Sequence, residues 1–336
     1  MKKGKEQTSD ELEGFEEEPE LTAKQRKERE AKKIEKLVSM SPLNALVDAQ
    51  LSIEKPRINA QIRQTHLKKQ GRSDPETDAL LEKLLDVESY VDGRVASHIQ
   101  PHPAYPWFSR VKGIGDENIA KVIGLVDIKR ATTVSALRKF AGYAPEEGED
   151  GLFHGAKKVK GKKLSYNSKL RTTCWRIGSS LLKAGLRQQC LKCNAVIGQG
   201  SIDQEKVDKT SGEILKKEGE CPKCKNTTFR AIAETKFGVY YLAQKEHYTQ
   251  RFLNEGKEIV PATKLPKDAK GKRYETDKLI SEGHVHSMAL RKMIQMFLAM
   301  LWLEWRLGEG LPIREPYPIE KLGHTHIYKP EDFVDR

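Results

Sequence analysis

Apolar residues recur at helical spacing along most of the chain. Leu43, Val47, Leu51, Ile58 and Ile62 predict a helix over 43–70. Pro56 is expected to kink or divide it, because proline lacks the backbone donor and crowds the preceding turn. Gly71 breaks the pattern; Asp74 then stands at an N-cap position with Pro75 at the first helical position. The next helix carries Leu80, Leu84, Val87 and Val91 in the 4-3-4 steps of a coiled-coil seam. Val95 and Ile99 follow in steps of four, so the stripe drifts. A seam this short is satisfied equally by packing within the chain and by self-association through 41–100. Pro101, Pro103 and Pro106 end the element. A middle block covers 107–188. A helix resumes near Thr235, with Phe237, Tyr240, Tyr241, Tyr248 and Phe252 mostly on one side. Residues 254–282, rich in Lys, Pro and Gly, predict a surface loop. The last strong helix runs from His284 to Leu307, with Met288, Met293, Phe297, Met300, Leu301 and Trp305 as core.

Cysteine spacing changes this picture between the middle block and the helix that resumes near Thr235. Cys190-Leu-Lys-Cys193 and Cys221-Pro-Lys-Cys224 are two knuckles, each able to bring two thiolates within reach of one tetrahedral ion. Four thiolates leave no position for water, so the expected ion is a structural Zn²⁺. Redox pairs or unliganded thiols are the other readings of the same motif. Cys174 has no partner knuckle and is not expected to be a ligand. Residues 190–230 are thus read as a small β zinc-ribbon insert, too polar to build a core without metal.

Two further features point to a polyanion. Phe108 to Gly124 contains Gly113-Ile114-Gly115 between helical segments, a helix-hairpin-helix pattern. Such glycines let backbone N–H groups approach a phosphate, with Lys112 and Lys121 adding charge. An ordinary turn between packed helices has the same pattern. From Gly151 to Ile202 there is no Asp or Glu. Lys157, Lys158, Lys160, Lys162 and Lys163 read as a flexible basic loop, and Lys169, Arg171, Arg176, Lys183 and Arg187 as a basic helix. Together they predict steeply salt-dependent binding.

The fold class expected is mainly α. A charged leader (1–40), disordered at its start and a fraying helix later, precedes a helical hairpin or coiled coil (41–104). A helix-hairpin-helix-containing domain follows, made of 105–189 and 231–310 and interrupted by the insert, and an extended tail (311–336) ends the chain. The chain has 336 residues and a formal net charge of +12, which favours an anionic partner: DNA first, RNA as the alternative. The longest apolar run, Met296 to Leu303, is too short for a bilayer, and the first residues carry no signal-peptide core. The expected location is cytoplasmic, nucleoid-associated in a prokaryote.

The middle block also resembles a known family. Val111-Lys-Gly-Ile-Gly, Val126-Asp-Ile, Leu137-Arg-Lys-Phe-Ala-Gly-Tyr-Ala-Pro145 and Ser168-Lys-Leu-Arg171 occur in order. After the cysteine insert come Phe237-Gly-Val-Tyr-Tyr and Ala289-Leu-Arg-Lys-Met293. This series resembles the C-terminal transposase domain of the insertion-sequence one-ten and Piv-type family over roughly 105–190 and 235–305. The resemblance implies DNA transposition or rearrangement, with a serine nucleophile placed just before the Leu-Arg of the basic helix. Ser168 is the matching residue and Ser165 the alternative; a helix-capping role for Ser168 fits the same position. Members also carry a RuvC-like domain with four acidic residues. Residues 1–100 have no such strand-rich pattern, so the resemblance implies a RuvC-like partner for catalysis, or a non-catalytic DNA- or RNA-binding subunit of a larger assembly.

Overall fold

The computed structural model describes residues 22–147, 153–156, 161, 164–198, 206–207, 214–216, 219–314 and 327–336. It is mainly helical. Helix α1 (Ala23–Val38) starts at a capping box in which Thr22 and Gln25 satisfy each other's backbone N–H groups. Ile34, Leu37 and Val38 on it are exposed. Helix α2 (Pro42–Lys69) and helix α3 (Pro75–Ile99) form an antiparallel hairpin turned at Gly71, whose φ of 68° suits glycine. Polar ties set the register: Arg57 pairs with Glu88 at 2.8 Å and Gln64 donates to Asp78 at 2.7 Å.

Several expectations change here. Pro56 lies inside α2, and the helix runs through it undivided. Asp74 does not cap α3 through its side chain. Its carboxylate accepts instead from the Thr77 hydroxyl at 2.6 Å and from Arg63, and these hold it down at a pKa of about 2. The coiled-coil seam is split between two faces. Thr77, Leu81, Val91, Val95 and Ile99 are buried, whereas Leu80 and Val87 are 55% and 47% exposed.

The hairpin packs through Val47, Val91, Val95 and Ile99 onto a core shared with the rest of the chain. A short helix α4 (Tyr105–Phe108) leads to α5 (Asp116–Leu125) and α6 (Val134–Phe140). A two-stranded pair, β1 (Pro145–Glu147) and β2 (Phe153–Gly155), precedes α7 (Ser168–Gly185). Helix α7 crosses the final helix, α9 (Glu282–Gly308), where a Cβ on Gly178 would lie 2.8 Å from Ile294 and 2.9 Å from Leu290. Helix α8 (Lys236–Asn254) is capped by Thr235, which accepts from Gly238 N at 3.1 Å. The central core is built from Trp107, Phe108, Ile119, Ile177, Phe237, Phe297 and Trp302.

Helix α7 ends at Gly185 and gives way at once to strand β3 (Leu186–Cys190), which pairs antiparallel with β4 (Val196–Gly198) and β7 (Phe229–Ala233). Between them, β5 (Lys206–Val207) pairs with β6 (Ile214–Lys216). The cysteine insert therefore grows from a hairpin rooted at 186 and 233, wider than 190–230. The expected surface loop at 254–282 is closed at its base by a parallel pair, β8 (Glu258–Val260) and β9 (Leu279–Ser281). The tail is not simply extended. Residues 330–333 form a 3₁₀ turn, Phe333 is buried and stacks on Phe237 at 4.6 Å, and Trp107 Nε1 donates to the Pro330 carbonyl at 2.9 Å. Among the described residues no helix is long and apolar enough to cross a membrane.

Candidate metal centre and nucleic-acid face

The four knuckle cysteines converge. Their sulfurs all lie within 4.8 Å of one another, with Cys190 to Cys224 at 3.5 Å and Cys193 to Cys221 at 3.7 Å. A tetrahedral ion with metal–sulfur bonds of about 2.3 Å requires sulfur–sulfur edges of about 3.8 Å. The two knuckles have matching backbones. Asn194 N–H donates to the Cys190 carbonyl and Lys225 N–H to the Cys221 carbonyl, and both residues take a left-handed φ, 56° and 60°. Asn226 ties the knuckles together: its carbonyl accepts from Cys221 N–H at 2.8 Å and its side-chain amide reaches Cys190 Sγ at 3.5 Å. The backbone N–H of Cys193 leads the groups that bring the Cys190 thiol down to about 6. Cys190, Ala195, Ile197 and Cys221 form a small cluster separate from the main core. The donor set fits a metal ion with a closed shell. Cys174 stands apart, fully buried on the inner side of α7, and burial pushes its thiol up to about 12.

The hairpin of residues 112–115 is occupied by the protein itself. A Cβ on Gly113, whose φ is 101°, would lie 2.7 Å from Ala184 and 3.1 Å from the Ser180 carbonyl, so this glycine lets the turn pack against α7. The Asp335 carboxylate accepts from Lys112 N–H at 2.9 Å and from Lys236 N–H at 2.8 Å, where a phosphate was expected. The Lys112 ammonium lies 3.8 Å from Glu234. Lys121 is 7% exposed. Gly115 is open, but Asp116 and Glu117 in the turn after it repel anions.

Helix α7 presents a different picture. Asn167, not Ser168, caps it, accepting from Leu170 N at 3.1 Å, because Asn167 keeps extended backbone while Ser168 is already helical. Ser168 is exposed in the first turn, and its hydroxyl has no hydrogen-bond partner among the described residues. Ser165 instead donates to Glu146. The cations nearby are engaged by other parts of the chain. Lys169 pairs with Asp48 at 3.0 Å and Arg176 with Glu54 at 2.6 Å, both acids coming from α2. Arg171 donates to the Ala156 carbonyl at 2.7 Å and lies over the Tyr166 ring at 4.7 Å. Lys157, Lys158, Lys160, Lys162 and Lys163 lie outside the described residues.

The structure therefore does not unite the expected binding residues. The hairpin sits against Ser180 to Ala184, and at 1.5 Å per residue Ser168 lies about 20 Å away along α7. Asp48, Glu54, Asn226 and Asp335 are the participants that local sequence does not reveal. No family model matches the chain, and no curated protein or solved structure matches it.

Proposed function

We propose that this is a nucleic-acid-binding protein of transposase type, acting in DNA rearrangement, with α7 as its working edge and a structural zinc ribbon as an accessory module. The observation that carries the reading is α7 itself. Its outer side holds no acidic residue and begins at a solvent-facing serine with an uncommitted hydroxyl. The motif order from Val111 to Met293, similar to the one-ten and Piv-type transposase domain, gives that serine a role. As a nucleophile, Ser168 Oγ gives up its proton to solvent and attacks a phosphodiester phosphorus; a phosphoserine bond forms as the bond from phosphorus to one sugar oxygen breaks, that oxygen leaves as a hydroxyl, and cations stabilise the added negative charge. Lys169 and Arg171 flank it and are released for that task only if phosphate displaces Asp48 and the Ala156 carbonyl. An exposed ion pair is worth at most about 1 kcal/mol, so phosphate exchanges with Asp48 at little cost. The chain holds no RuvC-like sheet among its described residues, so metal-assisted steps require a partner bearing that domain. A zinc ion on Cys190, Cys193, Cys221 and Cys224 would hold the two knuckles together and, with no position left for water, would take no part in the chemistry.

The engaged state of Lys169 and Arg171 favours one other reading, a binding subunit that retains the fold without the chemistry. Supercoiled DNA incubated with the protein and a RuvC-like partner separates the two. Nicking that disappears in Ser168→Ala while DNA affinity is retained supports the nucleophile; equal nicking by Ser168→Ala rejects it.

A further inference from the structure

The chain has four tryptophans, and the fold treats one of them differently. Trp107, Trp302 and Trp305 are at most 5% exposed, and their indole N–H groups donate to the Pro330 carbonyl, the Ala131 carbonyl and Glu309. Trp175 is 37% exposed, and its indole N–H has no acceptor among the described residues. It lies on α7 opposite Leu170, Cys174, Ile177 and Leu181, which are buried. At about 100° per residue, Ser168, Thr172, Trp175, Arg176, Ser179 and Lys183 fall within about 80° to 100° of one another. A flat aromatic face among hydroxyls and cations, on a helix that itself carries no acid, matches the chemistry of a nucleobase with its phosphates.

We propose that Trp175 is a stacking platform for an unpaired base, so that the nucleic acid held along α7 is single-stranded where it meets this helix. The proposal rests on the nucleic-acid reading above and narrows its substrate class. A base within a duplex has both faces covered by its neighbours and offers only edges and backbone. The flat face needed by the indole is available in a single strand. Lys183 has no salt-bridge partner among the described residues, and Arg176, one residue from the ring, is paired with Glu54 at 2.6 Å, so a phosphate on that side meets a cation by taking the place of the Glu54 carboxylate. Ser168 lies two turns before Trp175 on the same side, about 10 Å along the axis. A strand anchored at the ring therefore has its neighbouring phosphates near the serine hydroxyl.

The test uses the full-length protein, a labelled oligothymidylate, and a labelled blunt duplex of similar charge. Because the other three indoles are buried, quenching of intrinsic fluorescence reports Trp175. Oligothymidylate should quench it, and the duplex should not. Trp175→Ala should weaken oligothymidylate binding roughly 10- to 100-fold by anisotropy and leave duplex binding within about 3-fold. Trp175→Phe, which keeps a stacking face, should recover most of the loss. The proposal is overturned if Trp175→Ala binds oligothymidylate as the wild type does, or if both ligands lose affinity equally. It is also overturned if Trp175→Phe behaves as Trp175→Ala. Absence of binding to either nucleic acid removes the underlying functional reading as well, whereas a loss of stacking alone leaves that reading intact.

Discussion

Gly185 joins α7 to the strand that carries the first metal ligand, and replacing it by alanine is a sharp test of how that junction is built. Its backbone is not left-handed, so helix propensity alone predicts a gain of up to about 1 kcal/mol from Gly185→Ala. Packing predicts the opposite. The new methyl carbon falls 2.0 Å from Thr235 Oγ1, the oxygen that caps α8 by accepting from Gly238 N. Evicting that oxygen loses the cap, about 1 kcal/mol, and crowding two helix ends adds about 1–3 kcal/mol. The expected cost is about 2–4 kcal/mol. With an unfolding entropy of about 2.1 cal/mol/K per residue over 336 residues, that lowers Tm by about 3–6 °C. Calorimetry of Gly185→Ala, Thr235→Ala and the double variant measures it. Thr235→Ala alone should cost about 1 kcal/mol, and the double variant should cost less than the two singles added, because the clashing oxygen is gone. A stabilised Gly185→Ala, or strictly additive costs, would refute the reasoning.

The metal centre predicts about one Zn²⁺ per chain by elemental analysis of reduced protein; a folded, metal-free preparation counts against it. Chelation should unfold the insert and spare most of the helical circular dichroism, since the cysteine cluster is separate from the main core. Because Cys190 faces Phe229 in the β3–β7 register, replacing residues 191–228 by Asn-Gly should close a hairpin and leave the main melting transition in place. Aggregation would show that the insert supports the core. Burial holds His102 down at about 4, outweighing the raising effect of Glu309, while its ring N accepts from Ala104 N–H at 3.1 Å. The neutral ring stabilises the fold above about pH 6.5, and that contribution is lost as pH falls from 6.5 through 4. Tm of the wild type should drop across this window, and His102→Asn should flatten the drop; parallel profiles would exclude His102 as the cause.

What was legible in the sequence was local. Each cysteine knuckle spans four residues, so spacing alone identified the four ligands that the fold brings together. The helix resuming near Thr235 and the helix from 284 to 307 were visible for the same reason. What failed depended on distant residues. The acid-free stretch looked like a free cationic surface, but Asp48 and Glu54 come from 121 and 122 positions away to pair with Lys169 and Arg176. The hairpin looked open to phosphate, but Asp335, 223 positions away, fills its N–H group. Periodicity located the helix carrying Leu80 and Val91, yet could not say which of the two α2 would cover. Trp175 was in plain view as an aromatic on the basic helix; only its exposed indole, without a protein acceptor among the described residues, distinguishes it from the other three.

On the proposed function, α7 carries a nucleic-acid interface. Titrating a labelled oligonucleotide against salt, for the wild type and for Lys169→Gln, Arg176→Gln and Lys183→Gln combined, tests it most directly. The wild type should bind with log affinity falling linearly against log salt. The triple variant should bind more weakly with a slope shallower by about 2 to 3 phosphate contacts. Identical slopes, or no binding by the wild type at low salt, would contradict the account.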